Sequence, residues 1–160
     1  GGEVKVWGSL AIGEYLAEAF PEARLWPGDA AARAVARSVS AEMHSGFRPL
    51  REHLDMALLE RRPKPDNAEV DADIARVTEI WRDCRTRFGE AEGGPYLFGH
   101  FTIADAMYAP VCTRFRTYAV ELEPALQAYC DAVFDWPLLK DWEEGALAEP
   151  EEIVELEVEF

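Results

Sequence analysis

Three polar side chains in the first half of this sequence have the spacing of one helix face and the chemistry to bind an anion. His44, Arg48 and Arg51 follow one another at intervals of four and three residues, so they would be neighbours on a helix. Arginine guanidinium groups bind carboxylates through two parallel hydrogen bonds, so this stripe could line an anion-accepting cleft. The alternative interpretation is a polar helix face in contact with solvent.

A second group of candidates lies in the last third of the chain, where Arg114 stands on a largely apolar segment close to Arg116 and Tyr118. A partly buried arginine requires a carboxylate partner or a ligand. Arg114 therefore belongs either to a structural ion pair or to the lining of a pocket. The same choice, between core packing and the lining of an apolar pocket between two bent helices, applies to Met43, Phe47 and Tyr108.

Other classes of site have little support in this sequence. His44 and His53 are nine residues apart, so an unbroken helix would place them about 180° apart, and a shared metal is not expected. The sequence contains no phosphate-binding glycine loop and no nucleophile elbow. Its three cysteines, Cys84, Cys112 and Cys130, form no Cys-x-x-Cys pair, which suits buried thiols in a reducing compartment. We therefore expect neither a catalytic residue nor a metal site in this chain.

The elements that position these residues are predicted to be helices. Apolar residues recur at intervals of three and four over most of the chain. Helices are predicted over 9–20, 29–59, 70–88, 102–118, from 124 and from 137 to about 147. Ser9 and Asp29 are predicted N-caps and Gly89 is a predicted C-cap. Pro49 and Pro110 are expected to bend the helices over 29–59 and 102–118, respectively. Thr102 and Asp105 have the spacing of a capping box. The fold class is therefore all-α, a helical bundle of about six helices after a short extended stub.

Composition and charge restrict the possible partners. The 160 residues include 16 basic and 31 acidic residues, with a net charge of −15, so a nucleic-acid partner is not expected. Residues 140–160 hold nine acids and one base, which is −8 of that charge. No apolar run approaches the roughly 20 residues of a membrane span, so a membrane partner is not expected either.

Four segments, in this order, resemble bacterial glutathione transferases. They are VWGSLAIGEYLAEAFPEARLWPGD (6–29), RAVARSVSAEMHSGF (33–47), DIARVTEIWRDCRTRFG (73–89) and YLFGHFTIADAMYAPVCTRFRTY (96–118). The resemblance extends from about residue 4 to residue 150, and FTIADAMYAP is its most specific part. It implies that 1–28 is a remnant of a thioredoxin-like domain (its last strand, last helix and a linker). It also implies that 29–148 is the all-helical C-terminal domain and 149–160 an acidic tail.

The resemblance also implies a function. The parent protein would be a cytoplasmic enzyme of detoxification that conjugates or isomerises a small apolar electrophile, with glutathione as co-substrate. Its catalytic residue would lie in the missing domain, so the isolated chain is expected to be inactive. A homodimer is a usual state of the family. The alternative is a non-enzymatic helical module of the same fold that binds other proteins.

Site residues follow from the resemblance by position. Ser9 matches the serine that holds the γ-glutamyl end of glutathione, whereas Gly8 replaces the acidic residue that precedes it in the family. Thr102 and Asp105 match the N-capping box of the core helix, which has a folding role. In the family, two helices form the wall of the second-substrate pocket. The resemblance places Met43, Phe47, Tyr108 and Arg114 on these two helices.

Overall fold

Helices account for the regular structure of residues 4–58 and 60–149, which are the residues that this computed structural model describes. Their bounds are α1 Ser9–Ala19, α2 Ala30–Ser45, α3 Arg48–His53, α4 Ala68–Cys84, α5 Ile103–Thr117, α6 Pro124–Phe134 and α7 Pro137–Ala148. In this part of the chain, isolated bridges near residues 96–100 are the only β-type pairing. The all-α prediction is therefore confirmed. The predicted acidic tail beyond Glu149 lies outside the described residues.

Several helix starts lie where local sequence signals place them. Asp29 caps α2, and its carboxylate accepts a hydrogen bond from the Ala32 amide at 2.8 Å. Pro124 and Pro137 occupy the first turns of α6 and α7, where a missing N–H removes no intrahelical hydrogen bond. These starts confirm the predictions because capping and proline chemistry act between near neighbours in the chain.

The predicted single helix over 29–59 is wrong, because the chain forms two helices there. α2 ends at Ser45, Gly46 is extended, and Phe47 adopts a left-handed conformation with φ 57° before α3 begins at Arg48. Pro49 then lies in the first turn of α3, a position that tolerates proline. The proline therefore starts a new helix instead of kinking an old one.

The predicted C-cap at Gly89 is also wrong. After α4 the chain continues through a π-helical turn, Arg85–Gly89, and a helical turn, Glu90–Glu92. The left-handed residue that ends this helical stretch is Gly93, with φ 73°. Gly89 has an ordinary helical backbone, but a Cβ there would lie 2.7 Å from the Tyr96 carbonyl oxygen. This glycine therefore permits a close approach of two backbones.

The described residues form two compact units. One comprises the described parts of Gly1–Gly46 and Cys84–Tyr108, and the other those of Phe47–Asp83 and Ala109–Phe160. Among the described residues, we find no helix with the length and apolar character that a bilayer crossing requires.

In the first unit, α1 packs on other elements through one small residue and one ion pair. Gly13 leaves room for Ile103, whose Cδ1 would lie 3.1 Å from a Cβ at that position. Arg37 on α2 donates from Nε and Nη2 to the two carboxylate oxygens of Glu14 on α1, at 2.8 and 2.7 Å. These contacts define the position of α1 within the unit.

The second unit has an aromatic core. The indole of Trp81 on α4 lies edge-on to Tyr129, with ring centroids 5.0 Å apart, and 5.5 Å from the ring of Phe115. All three side chains are buried. Aromatic rings in such tilted arrangements stabilise a core beyond the area that they bury.

Candidate functional site

The N-terminus of α1 carries the residue predicted to bind glutathione. Gly8 is the N-cap, with φ 84° and ψ 127°, and Ser9 is the first residue of the helix. Ser9 is therefore not the N-cap that the sequence predicts, and no side chain caps this helix end. The reason is conformational: the chain enters α1 through a positive φ that glycine adopts at little energetic cost.

The hydroxyl of Ser9 is consequently available for other contacts. Its Oγ lies 3.5 Å from Nδ1 of His44 on α2, and this contact is exposed. The first amides of a helix have no intrahelical acceptor and carry the positive end of the helix dipole. Together with a serine hydroxyl, such an end can accept a carboxylate. The geometry thus offers the chemistry expected of Ser9, and its role in binding glutathione stays a prediction.

Two of the four residues predicted to line the second-substrate pocket belong to the first unit. Met43 on α2 and Tyr108 on α5 are both buried. The Tyr108 hydroxyl donates to the Val39 carbonyl oxygen at 3.1 Å. Tyr108 thus supports the packing of α5 on α2, and a pocket role for either residue stays a prediction.

The other two residues belong to the second unit. Phe47 is buried and is the N-cap of α3. Arg114 on α5 donates through Nη1 to the carbonyl oxygen of Leu54, and burial lowers the pKa of its guanidinium below the ordinary value. The requirement of a partly buried arginine for a partner is therefore met by a backbone carbonyl.

Arg116 and Tyr118 also have partners within the second unit. Arg116 forms an ion pair with Glu143 on α7, and the Tyr118 hydroxyl donates to the carboxylate of Asp55. Burial raises the pKa of Tyr118, and its hydrogen bond to Asp55 acts in the same direction. The structural interpretation of these two side chains accounts for the contacts observed.

The predicted anion-binding stripe does not form one helix face. His44 lies near the end of α2, whereas Arg48 and Arg51 lie on α3, and the break at residues 46–47 separates them. Arg48 forms an exposed ion pair with Glu52 at 2.6 Å. The intervals of four and three residues therefore do not place His44 on the same helix face as Arg48 and Arg51.

The Thr102–Asp105 pair connects the start of α5 to the preceding segment. The buried Asp105 carboxylate accepts hydrogen bonds from the Thr102 amide at 2.8 Å and from the Thr102 hydroxyl at 2.9 Å. Its other oxygen accepts from the Leu97 amide at 3.0 Å. Burial raises the pKa of the Asp105 carboxyl to about 6, although all three donors act to lower it.

Sequence reasoning missed one polar cluster, in the segment that follows α3. Arg62 donates to Asp55 at 2.7 Å and to Glu60 at 2.6 Å, which raises the pKa of its guanidinium. The Arg62 amide also donates to the Thr117 carbonyl oxygen at 2.9 Å, which ties this segment to the end of α5. No helical spacing signals this cluster, because Asp55, Glu60 and Arg62 lie in a segment without regular secondary structure and Thr117 is distant in sequence.

Metal ligation has no support in the part of the chain that the structure describes. No group of three or more His, Cys, Asp or Glu side chains there could hold a metal ion. Cys84, Cys112 and Cys130 are buried and are not joined in disulfides.

Comparisons with known proteins identify the relatives of this chain. Residues 34–144 match the family described as Glutathione S-transferase, C-terminal domain. A glutathione transferase homolog from Burkholderia GL BGR1, solved with bound glutathione, is similar in structure with a TM-score of 0.66 and 20% identity. That match covers 92% of this chain and 71% of the homolog.

A second solved structure is the theta class glutathione S-transferase of the citrus canker pathogen Xanthomonas axonopodis pv. citri, with glutathione bound. Its TM-score is 0.58 and its identity 25%, over 88% of this chain and 68% of that one. No curated protein matches this sequence significantly.

Proposed function

The chain belongs to the glutathione S-transferase C-terminal domain family, and from that premise we propose that it is the helical portion of a protein that uses glutathione. The parent protein conjugates or isomerises a small electrophile, and this chain supplies one wall of the second-substrate pocket. The observation that carries the proposal is the family match, together with structural relatives that were solved with glutathione bound.

Support for the proposed domain division comes from the exposed apolar face of α1. The residues on this face are Ile12, Tyr15, Leu16 and Phe20, and each is 38–51% exposed. Trp7, just before the helix, is 82% exposed. Several large apolar side chains exposed at helical spacing are typical of a surface that another domain or protein covers. We therefore assign residues 1–28 to the edge of a thioredoxin-like domain, whose remaining part covers this face in the complete protein.

In this proposal Ser9 binds the γ-glutamyl carboxylate of glutathione, which is the co-substrate. The hydroxyl and the first amides of α1 act as donors toward the carboxylate. Met43, Phe47, Tyr108 and Arg114 contribute to the wall against the electrophile. A lowered pKa of the glutathione thiol requires a hydrogen-bond donor beside the sulfur. In this proposal that donor is a residue of the thioredoxin-like domain. The location would be cytoplasmic and the protein a homodimer.

An activity assay tests whether catalysis requires the thioredoxin-like domain in addition to this chain. The isolated 160-residue chain, given glutathione and chlorodinitrobenzene, should show no turnover above the uncatalysed rate. Clear turnover by the isolated chain would show that the missing domain is not needed, and the proposal would fail.

The role of Ser9 is tested in the complete protein. Ser9→Ala should raise the KM for glutathione at least about tenfold, since a hydrogen bond to a charged group contributes about 1.5–3 kcal/mol. Ser38→Ala is the matched control, because its hydroxyl is exposed and donates to the Ala34 carbonyl oxygen within α2. Equal KM values for the two variants would exclude Ser9 from the glutathione site.

A second candidate function is a non-enzymatic module that binds other proteins. Gly8 favours it, because the family's acidic residue at this position would face the ammonium group of glutathione, and glycine cannot do so. The coding sequence upstream of residue 1 distinguishes the two candidates. A thioredoxin-like segment with a Ser, Cys or Tyr nucleophile supports the enzyme, whereas any other neighbour supports the module.

A further inference from the structure

Arg114 on α5 is a half-buried cation whose charge has no counter-ion in the described part of the chain. Its Nη1 donates to the Leu54 carbonyl oxygen, which accepts one N–H but carries only a partial charge. No ion pair joins Arg114 to a carboxylate of the described residues. Burial lowers the pKa of its guanidinium, so the charged form is less stable here than in water. A charge withdrawn from water is unfavourable unless an opposite charge accompanies it.

Asp55 is the carboxylate whose charge acts on Arg114, and other groups already occupy it. Its Oδ2 accepts a hydrogen bond from Arg62 Nη1 at 2.7 Å, and its Oδ1 accepts one from the Tyr118 hydroxyl. Arg62 therefore balances the charge of Asp55. Because both oxygens of Asp55 have donors of their own, this carboxylate does not neutralise Arg114.

A second guanidinium adds to the positive charge near Arg114. Arg51 lies in the last turn of α3, just before Leu54 in sequence, and its charge acts on Arg114 in the unfavourable direction. Residues 48–62 together with Arg114 contain five arginines and three acids, although the whole chain has a net charge of −15. Such a local excess of positive charge attracts an anion.

Both arginines can be reached from solvent, because neither side chain is fully buried. No nitrogen of Arg114 is a buried atom that lacks a hydrogen-bond partner among the described residues. The N–H groups of Arg114 that do not bind Leu54 are therefore open to water, and a ligand can replace that water. A guanidinium presents its N–H groups as a planar fork that fits a carboxylate through two parallel hydrogen bonds.

We propose that Arg114 and Arg51 bind a carboxylate of the second substrate, which is then a small electrophile with an apolar body and one anionic end. The inference rests on the proposed function for the role of this ligand as a substrate. The anion site itself is a property of this chain, because both arginines lie in the second unit. The two parts of the inference can therefore be tested separately.

Calorimetric titration of the 160-residue chain tests the site with two probes of nearly equal shape, dinitrobenzoate and dinitrobenzamide. We expect the carboxylate to bind at least about tenfold more tightly than the amide, which is about 1.4 kcal/mol. This preference should decrease at high salt, because dissolved ions screen charges that are open to solvent. Equal affinities, tighter binding of the amide, or no binding of the carboxylate would overturn the proposal.

Three variants locate the preference for the carboxylate. Arg114→Gln removes the charge but keeps a side-chain N–H donor, and it should abolish the preference. Arg51→Gln should reduce the preference about threefold, which is the effect of one charge that is partly open to solvent, and it remains measurable if Arg114→Gln does not fold. Arg82→Gln is the matched control, because Arg82 is an exposed arginine of α4 that pairs with Glu123, and the preference should not change. A preference that survives Arg114→Gln, or that all three variants reduce equally, contradicts the assignment.

Turnover by the complete protein separates this inference from the proposed function. The glutathione thiolate would displace chloride from chlorodinitrobenzoate and from the corresponding benzamide, forming a C–S bond as the C–Cl bond breaks. The KM should be at least about fivefold lower for the carboxylate, and Arg114→Gln should raise the KM for the carboxylate alone. Equal KM values for the two electrophiles would refute the inference. Absence of turnover with both would instead refute the proposed function, and the titration would still decide whether the anion site exists.

Discussion

Replacement of Asp105 by alanine removes an acceptor that three buried donors share. The amide of Leu97 and the amide and hydroxyl of Thr102 all donate to its carboxylate. Each buried donor that loses its acceptor costs about 1–3 kcal/mol, so the free energy of unfolding should fall by at least about 3 kcal/mol. The loss of an exposed N-cap side chain costs only about 0.5–2 kcal/mol. The excess follows from the burial of the box and from the additional contact with Leu97.

Urea unfolding followed by circular dichroism measures this difference. Asp73→Ala is the matched control, because its half-buried carboxylate accepts from a single backbone amide, that of Leu50, at 3.0 Å. We expect a loss of about 1 kcal/mol for the control. Thr102→Val, which removes only the hydroxyl, should lie near the control and remains measurable if Asp105→Ala does not fold. Equal losses for Asp105→Ala and Asp73→Ala would refute the reasoning.

The raised pKa of Asp105 adds a dependence on pH. A folded-state pKa of about 6 lies above the ordinary value of 3.8, so the native state binds the proton more tightly than the unfolded state. This group therefore favours folding below its ordinary pKa, and the contribution is lost as the pH rises through about 6. The stability difference between wild type and Asp105→Ala should be about 1 kcal/mol larger at about pH 5.5 than at about pH 7.5. The opposite sign would mean that the three donors outweigh burial.

Backbone conformation gives two further predictions, each with a control. Ala119 follows α5 with a left-handed φ of 49°, which is unfavourable for any residue with a Cβ. Ala119→Gly should therefore raise the free energy of unfolding, measured in urea, by about 1 kcal/mol. Ala128→Gly, within α6, should lower it by a similar amount. A lower midpoint for Ala119→Gly would contradict the assigned strain. Gly89→Ala should lower the free energy of unfolding by about 1–3 kcal/mol, because the new Cβ would clash with the carbonyl oxygens of Tyr96 and Leu97. Gly145→Ala should raise it, because a Cβ at this position on α7 meets no other atom and alanine favours the helix. The Gly89 interpretation fails if both glycine variants behave alike in thermal melts.

The predictable part of the candidate site was the part that local spacing encodes. Thr102 and Asp105 are three residues apart, and their hydrogen bonds form within one helical turn. The contact of Asp105 with Leu97 was not predictable, because it depends on the path of the chain before α5. The partners of Arg114 and Arg116 were equally hidden, since Leu54 and Glu143 lie 60 and 27 residues away in sequence.

By itself, the sequence determined the fold class, most helix starts and the family of this protein. The fold class and the helix starts arise from apolar periodicity, caps and prolines, whose energies depend on residues within about one helical turn. The family follows instead from the resemblance of four segments to bacterial glutathione transferases. The break between α2 and α3 coincides with two local helix-stop signals, Gly46 and Pro49, although the apolar spacing continues through residues 46–47. Tertiary structure alone decided which partners Arg114 and Arg116 have. These outcomes depend on burial and on contacts between distant residues, and no local pattern contains that information.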